Sequence, residues 1–174
     1  MMTLQTERLT VRPIEELDWT SIREIWIDFN NSEYVIYDNE KNTDPDDVKN
    51  RIARWADATR NGTEHMFFVT CLDGEVIGFT SMNIRKEGYE IGYGFRSESQ
   101  GHGYAKESLS AIFDYMKEPG VKKIFAGTAI KNMPSVGLLK SVGFELVGTE
   151  KLSFHKDKDG NDIVFEGGNF VKEL

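Results

Sequence analysis

The sequence predicts a mixed α/β fold, and three observations carry that prediction. Apolar residues dominate short β-rich runs such as HMFFVTCL and EVIGFTSM, which have the length and composition of strands. Between such runs lie stretches where apolar residues recur every three to five positions, the mark of amphipathic helices. The two kinds of run interleave along 174 residues without internal repeat, low-complexity segment or linker. A single domain over 1–174 is therefore expected.

Leu9-Thr10-Val11 alternates and stops at Pro13, a short first strand. From Leu17 to Phe29 the residues Leu17, Ile22, Ile25, Trp26 and Phe29 form one helical face. The polar stretch NNSEYVIYDNEKNTDPDD has no period and reads as a loop or lid. Thr43 or Asp44 then caps a second helix with Pro45 in its first turn, apolar residues Val48, Ile52 and Trp55, and Gly62 at its end. The next two strands flank Asp73-Gly74, a pair that favours a type I′ hairpin turn. YEIGYGF follows as a strand with Gly92 and Gly94 inside it, which suggests a bulge or the close approach of another group. A helix carries Ala105, Leu109, Ile112, Phe113 and Met116 and ends at Pro119-Gly120. VKKIFAGTAI is β-rich, Asn132 opens a short helix closed by Gly143, and FELVGTEKLSF pairs with DIVFEGGNFV around KDKDGN.

Composition excludes several functions. The net charge of −8, from 21 Lys+Arg against 29 Asp+Glu, argues against holding nucleic acid or anionic membrane through a general positive field. Cys71 is the sole cysteine, which rules out an intramolecular disulfide and a cysteine-built metal site. His65, His102 and His155 have no paired spacing, and no metal is expected. The run Asp157–Asp162 resembles a calcium loop only briefly, because Gly168 stands at the twelfth position where a bidentate Glu is needed. No apolar run approaches the ~18 residues of a membrane span. Glu7 and Arg8 fall where a signal peptide needs its apolar stretch, so a cytoplasmic location is expected.

Two segments carry chemistry. Gln100-Gly101-His102-Gly103-Tyr104-Ala105 lies between a strand and a helix. A helix start has unpartnered N–H groups and a partial positive charge, and glycines let the backbone approach an anion closely. The same turn also serves as ordinary punctuation before a helix. It lacks the Gly-Lys-Ser/Thr ending of a P-loop, and Lys106 stands where a dinucleotide fingerprint needs its third glycine. The second segment is Asn132-Met-Pro-Ser135, continuing through Leu138 and Leu139 to Gly143-Phe144. On its own it reads as a capped helix with a glycine stop.

Taken in order, TERLTVRP, EIGYGF, QGHGYA and N-x-x-S…GF resemble the GCN5-related N-acetyltransferases (GNAT), in the branch that acetylates ribosomal-protein N-termini and its many relatives. Gln100, Gly103 and Ala105 fit that family's acetyl-CoA signature, Gln/Arg-x-x-Gly-x-Gly/Ala. The resemblance implies a mixed, mostly antiparallel sheet flanked by helices, in which the strand ending at Phe95-Arg96 splays from the parallel strand Lys123–Ile130. The pantetheine arm of acetyl-CoA, the acyl donor, would lie in that gap. Backbone amides of Gln100, Gly101, His102, Gly103, Tyr104 and Ala105 would hold the pyrophosphate, the Phe95 backbone would pair with the arm, and Asn132 would hydrogen-bond it further along. Dimers are common among such proteins, so a homodimer is an expectation.

The reaction so implied is transfer of an acetyl group to a primary amine, which needs a free amine lone pair, a stabilised oxyanion and a donor for the leaving thiolate. Many members use a tyrosine seven residues after the asparagine, where this sequence has Leu139. A serine three residues after the asparagine can serve in the resembling branch, which points to Ser135, otherwise a helix-start residue. For the base, Glu90 shares a strand face with Gly92 and Gly94 by alternation, while Ile91, Tyr93 and Phe95 face the other way. His155 or a water-mediated path are alternatives, and a solvated strand carboxylate is the plain reading of Glu90. Trp26, Phe29, Tyr34 and Tyr37 either line an acceptor pocket or pack in the core. The acceptor stays open among protein N-termini, polyamines, aminoglycosides and other small amines. A CoA-binding module without turnover is the competing function.

Overall fold

The computed structural model describes residues 2–62 and 64–174. Its strands are β1 (Leu4–Gln5), β2 (Thr10–Pro13), β3 (His65–Leu72), β4 (Glu75–Arg85), β5 (Gly88–Phe95), β6 (Lys123–Ala129), β7 (Glu145–Leu152) and β8 (Phe165–Glu173). They form one sheet in the order β1-β2-β3-β4-β5-β6-β8-β7. β5 and β6 run parallel, and the other neighbours are antiparallel. Four helices cover it: α1 (Trp19–Asn30), α2 (Pro45–Asn61), α3 (Tyr104–Lys117) and α4 (Met133–Ser141).

Alternation along the strands gives the sheet two apolar faces, each covered by a helix pair. Phe68, Met82, Ile91 and Ile124 pack with Leu109, Ile112 and Phe113 of α3 and with Val136 and Leu139 of α4. Phe67, Val69 and Cys71 pack on the opposite side with Ile22, Ile25 and Trp26 of α1 and with Val48, Ile52 and Ala56 of α2. Trp55 stacks flat on Phe67, with centroids 4.3 Å apart. Trp26 meets Trp55 edge-on at 5.7 Å, which places Trp26 in the core and not in a pocket wall. Burial pushes the Cys71 thiol up, as befits a small core residue.

Several local expectations hold. Asp73 and Gly74 both take positive φ, 50° and 87°, between β3 and β4. Asp44 caps α2 with Pro45 in its first turn, and Gly62 follows its end. Gly94 is explained by close approach, because a Cβ there would stand 2.8 Å from the Phe79 ring, and the β4–β5 register runs without a bulge.

Others are corrected. β1 precedes the first expected strand. Leu17 is 83% exposed and sits in a short 3-10 turn, Glu16–Asp18, ahead of α1. The Asp18 carboxylate turns back to Arg12 through two 2.8 Å contacts and accepts the Glu15 N–H at 2.7 Å. That closes the 3-10 turn and starts α1 at Trp19, so Leu17 falls off the buried face. The stretch after α1 also holds a 3-10 segment, Glu33–Tyr37. Residues 162–164 lie outside β8, with Asp162 in an isolated bridge to Lys156, and the Asp157 carboxylate accepts the N–H groups of Asp159 and Asn161 in a polar turn.

Candidate active site

The sheet is open along its parallel seam. β5 and β6 pair only from Tyr89↔Ile124 to Ile91↔Ala126. Beyond that point Gly92–Phe95 continues against β4 and Gly127–Ala129 against β8. The facing edges of the two strands therefore present backbone N–H and C=O groups to an opening, as an unpaired strand edge does. This is the splay the resemblance implied.

The Gln100–Ala105 turn lies at the end of β5, at the start of α3. Gly101 and Gly103 both take left-handed φ, 78° and 80°, where a side chain costs roughly 1–2 kcal/mol. Gly103 is the N-cap and no side chain bonds the helix start. The first backbone bond is from Glu107 N–H to the Gly103 carbonyl at 3.0 Å, which leaves the amides of residues 104–106 outside the helix's own ladder. Such a start fits a pyrophosphate better than a bulky or cationic group. Gln100 Nε2 donates to the Phe95 carbonyl at 3.3 Å. His102 is exposed and stacks on Tyr104 at 5.5 Å.

Two neighbouring elements pin this turn. From the β1–β2 connection, Arg8 Nη1 donates to the His102 carbonyl at 3.0 Å. Its Nε and Nη2 engage Glu107 at 2.8 and 2.7 Å, and its guanidinium lies 4.7 Å from the Tyr104 ring centroid. Glu107 also accepts from the Arg8 N–H at 2.9 Å and from Thr6 Oγ1 at 2.6 Å. Partial burial raises its pKa, but these bonds outweigh it and hold the carboxyl below its ordinary value. From α1, Asp28 accepts the Ser97 N–H at 2.6 Å and Ser97 Oγ at 3.0 Å, and Glu24 pairs with Arg96 at 2.5 Å.

Across the opening, the Asn132 side chain accepts the Ser135 N–H at 3.3 Å, capping α4. Ser135 Oγ lies 2.8 Å from the Tyr93 hydroxyl. Burial pushes the Tyr93 phenol up to about 12, and the Ser135 bond pulls the other way. Leu139 is fully buried, so its position faces the core. Tyr93, Arg8 and Glu107 are contacts that spacing along the chain does not announce, although alternation had separated Tyr93 from Glu90.

Glu90 stands apart from this group. It pairs with Phe125 below the opening, on the sheet face away from Tyr93, and its carboxylate bonds Arg85. His155 is also occupied. Its Nε2 lies 3.0 Å from the Val35 carbonyl and 2.6 Å from the Asp38 carbonyl. Carbonyls only accept, so Nε2 carries the hydrogen and clasps the connection after α1 to the one after β7. Beside it Tyr37 meets Phe165 edge-on at 5.2 Å. Phe29 lies under Lys41, 5.2 Å from Nζ. Two open depressions lie elsewhere. One of about 380 Å³ is bounded by Thr59, Met66 and Tyr115, and one of about 390 Å³ by Ile14, Leu17 and Arg60. Among the described residues no group of three or more His, Cys, Asp or Glu could hold a metal ion, and no helix is long and apolar enough to cross a membrane.

A sheet split at one parallel pair, with an uncapped glycine turn at the mouth of the split, is the arrangement that the resemblance implied. A family model described as acetyltransferase (GNAT) domain matches residues 8–145. The chain belongs to that family of acetyltransferases. It is 27% identical over 170 residues to the uncharacterized N-acetyltransferase YnaD of Bacillus subtilis strain 168, covering 94% of this chain and 95% of that one. It is 30% identical over 153 residues to the uncharacterized N-acetyltransferase p20 of Bacillus licheniformis, covering 85% of each. Among solved structures, the ribosomal-protein-S5-alanine acetyltransferase of Vibrio fischeri superposes with TM-score 0.82 at 20% identity, over 99% of this chain and 97% of that one. RimL, a ribosomal L7/L12 α-N-protein acetyltransferase solved with coenzyme A, gives 0.83 at 14% identity, over 99% and 98%. At these identities the likeness is one of fold.

Proposed function

We propose that the chain, acting as one acyltransferase unit over 1–174, transfers the acetyl group of acetyl-CoA to a primary amine, a protein N-terminus or a small amine, by direct attack in a ternary complex. The observation that carries this reading is the meeting of two features: the unpaired edge Gly92–Phe95 runs into the turn that leaves α3 uncapped. An extended amide-bearing arm fits the first, and a pyrophosphate fits the second.

In this reading the amides from Gln100 to Ala105 bind the pyrophosphate, and the Phe95 backbone pairs with the arm. Asn132, whose Oδ1 is taken by the cap, donates through Nδ2. A backbone N–H near Phe95 stabilises the oxyanion. The amine nitrogen bonds the carbonyl carbon, the C–S bond breaks, and Ser135 offers its hydroxyl to the departing thiolate. The amine proton leaves to Glu90, released from Arg85, or to water. His155 could take it only through Nδ1. The known structures of RimL with coenzyme A and of the self-immunity acetyltransferase MccE with acetyl-CoA and AMP support a CoA compound as the donor.

Calorimetry with CoA, followed by acetyl-CoA consumption across amines and N-terminal peptides, tests the reading. Binding with turnover on at least one amine is expected. Ser135→Ala should lower kcat more than about tenfold with little change in CoA affinity. Binding without turnover would favour a CoA-binding module, a reading that the burial of Leu139 keeps in view because the usual acid is missing. Absence of CoA binding overturns both. A homodimer, expected from the resemblance, is read by sedimentation.

A further inference from the structure

Tyr93 and Ser135 are 42 residues apart in sequence, and their hydroxyls meet at 2.8 Å. The contact joins β5 to the start of α4 just past Ile91↔Ala126, the last β5–β6 pair, and so spans the opening itself. Ser135 is the third residue of α4. A serine there commonly turns its hydroxyl back to nearby backbone, whereas this one is directed at a phenol from another element. Tyr93 is held from behind, packed against the core of the α3–α4 face.

A phenol is a stronger acid than an alcohol, so the favoured arrangement has Tyr93 donating and Ser135 accepting. The Ser135 hydrogen is then free to point elsewhere. We infer that Tyr93 is a positioning residue for acetyl transfer: its hydroxyl fixes the Ser135 hydroxyl so that the Ser135 hydrogen faces the leaving sulfur. The inference rests on the acetyl-CoA reading above.

Tyr93 does not give up its proton. With burial pushing the phenol up to about 12, it stays protonated near neutral pH and remains a donor throughout. When the new C–N bond has formed and the C–S bond breaks, the electron pair stays on sulfur. Ser135 donates a hydrogen bond to that thiolate, and the thiolate takes its proton from solvent as CoA departs. Neither hydroxyl is consumed.

A donor aimed at a thiolate lowers the pKa of the bound thiol, and removing it raises that pKa. The test is therefore a pH titration of CoA bound to the full chain, following the ultraviolet absorbance of the thiolate and needing no acceptor. The expected result is a thiol pKa about one unit higher in the Tyr93→Phe complex than in wild type. Ser135→Ala should give a similar rise, the double variant no further rise, and Ser135→Thr a return to wild type. Calorimetry at about pH 6, where the thiol is neutral in every complex, should give CoA affinities within about twofold across the set, since the two hydroxyls act on the thiolate alone. Should Tyr93→Phe fail to fold, Tyr93→Met, which also lacks a donor, takes its place beside Ser135→Ala and Ser135→Thr.

Identical titrations in wild type, Tyr93→Phe and Ser135→Ala would overturn the inference while CoA binding kept the acetyl-CoA reading standing. A rise in Ser135→Ala alone would leave Tyr93 without the role. A large loss of CoA affinity in Tyr93→Phe would make it a wall of the binding groove and overturn the inference too. If wild type bound no CoA, reading and inference would fall together.

Discussion

The starts of α2 and α3 face the same electrostatic problem and treat it in opposite ways. At α2, Asp44 accepts the N–H groups of Asp46 and Asp47 at 3.0 and 3.1 Å, Pro45 removes a third donor, and acidic side chains fill the first turn. At α3, the N-cap is a glycine in left-handed conformation, with no side chain bonded to the helix start. Its one first-turn acid, Glu107, is turned aside to Arg8. An N-cap is worth about 0.5–2 kcal/mol, so leaving α3 open costs stability that the Arg8, Thr6 and Asp28 bonds help offset. A helix end that is fully capped is structural. One left open while its loop is tied down by neighbours is suited to an anion from outside.

The largest effect that could break this contrast is at Gly103. A valine there meets a φ of 80° and brings its Cβ 3.5 Å from Arg8 Nη2, in the mouth of the turn. Gly103→Val should weaken CoA binding by more than about tenfold, because backbone strain and bulk both oppose the anion. Gly120 has a similar φ of 82° and open space around it, but lies past the far end of α3. Gly120→Ala should cost stability alone. Wild-type CoA affinity in Gly103→Val, read by calorimetry, would sink the phosphate role of this turn.

A smaller effect is expected at the clamp. Arg8→Ala removes the bond to the His102 carbonyl and the Glu107 pair together, and should raise the apparent acetyl-CoA KM several-fold with a lesser change in kcat. Its stability cost should be modest, about 1 kcal/mol, since the Arg8 side chain is 43% exposed and water screens the pair. The pH dependence has a definite sign. Glu107 is held below its ordinary value of 4.5, so its contribution is present above that value and is lost as pH falls below it. Thermal melts should show a shallower acid-side loss in Glu107→Gln than in wild type. Parallel acid limbs would remove Glu107 from that balance.

What could be read from the chain follows from how far apart the interacting residues are. The Asp73-Gly74 turn, the Asp44-Pro45 helix start and the stop at Gly143 are decided within a few residues, and the structure has each of them. The β5–β6 splay came from the family resemblance, because Gly92 and Gly94, read as a bulge or a close approach, answer to Ser81 and Phe79 on β4 and not to β6. Leu17 was misplaced because its neighbour Asp18 bonds Arg12, and a hydrophobic period takes no account of a carboxylate that turns back. Contacts between distant residues left no local trace: Arg8 with His102 is separated by 94 positions and Tyr93 with Ser135 by 42. Alternation correctly put Glu90 and Tyr93 on opposite faces of β5, but only the packed sheet shows which of the two faces α4.

The smallest expected effect sharpens the contrast from the other side. The Asp44 side chain serves the start of α2, accepting the N–H groups of Asp46 and Asp47. Asp44→Ala should lower stability by about 1 kcal/mol, read as a small drop in melting temperature, with CoA affinity and turnover as in wild type. Asp44→Asn restores an acceptor for the same two N–H groups and should recover most of the loss. A gain in anion binding at the uncapped α2 of Asp44→Ala would show that any open helix start on this chain attracts phosphate. The loss of Asp44 should create no such site, because Asp46 and Asp47 remain in the first turn and oppose an anion, whereas at α3 the only first-turn carboxylate is already neutralised by Arg8.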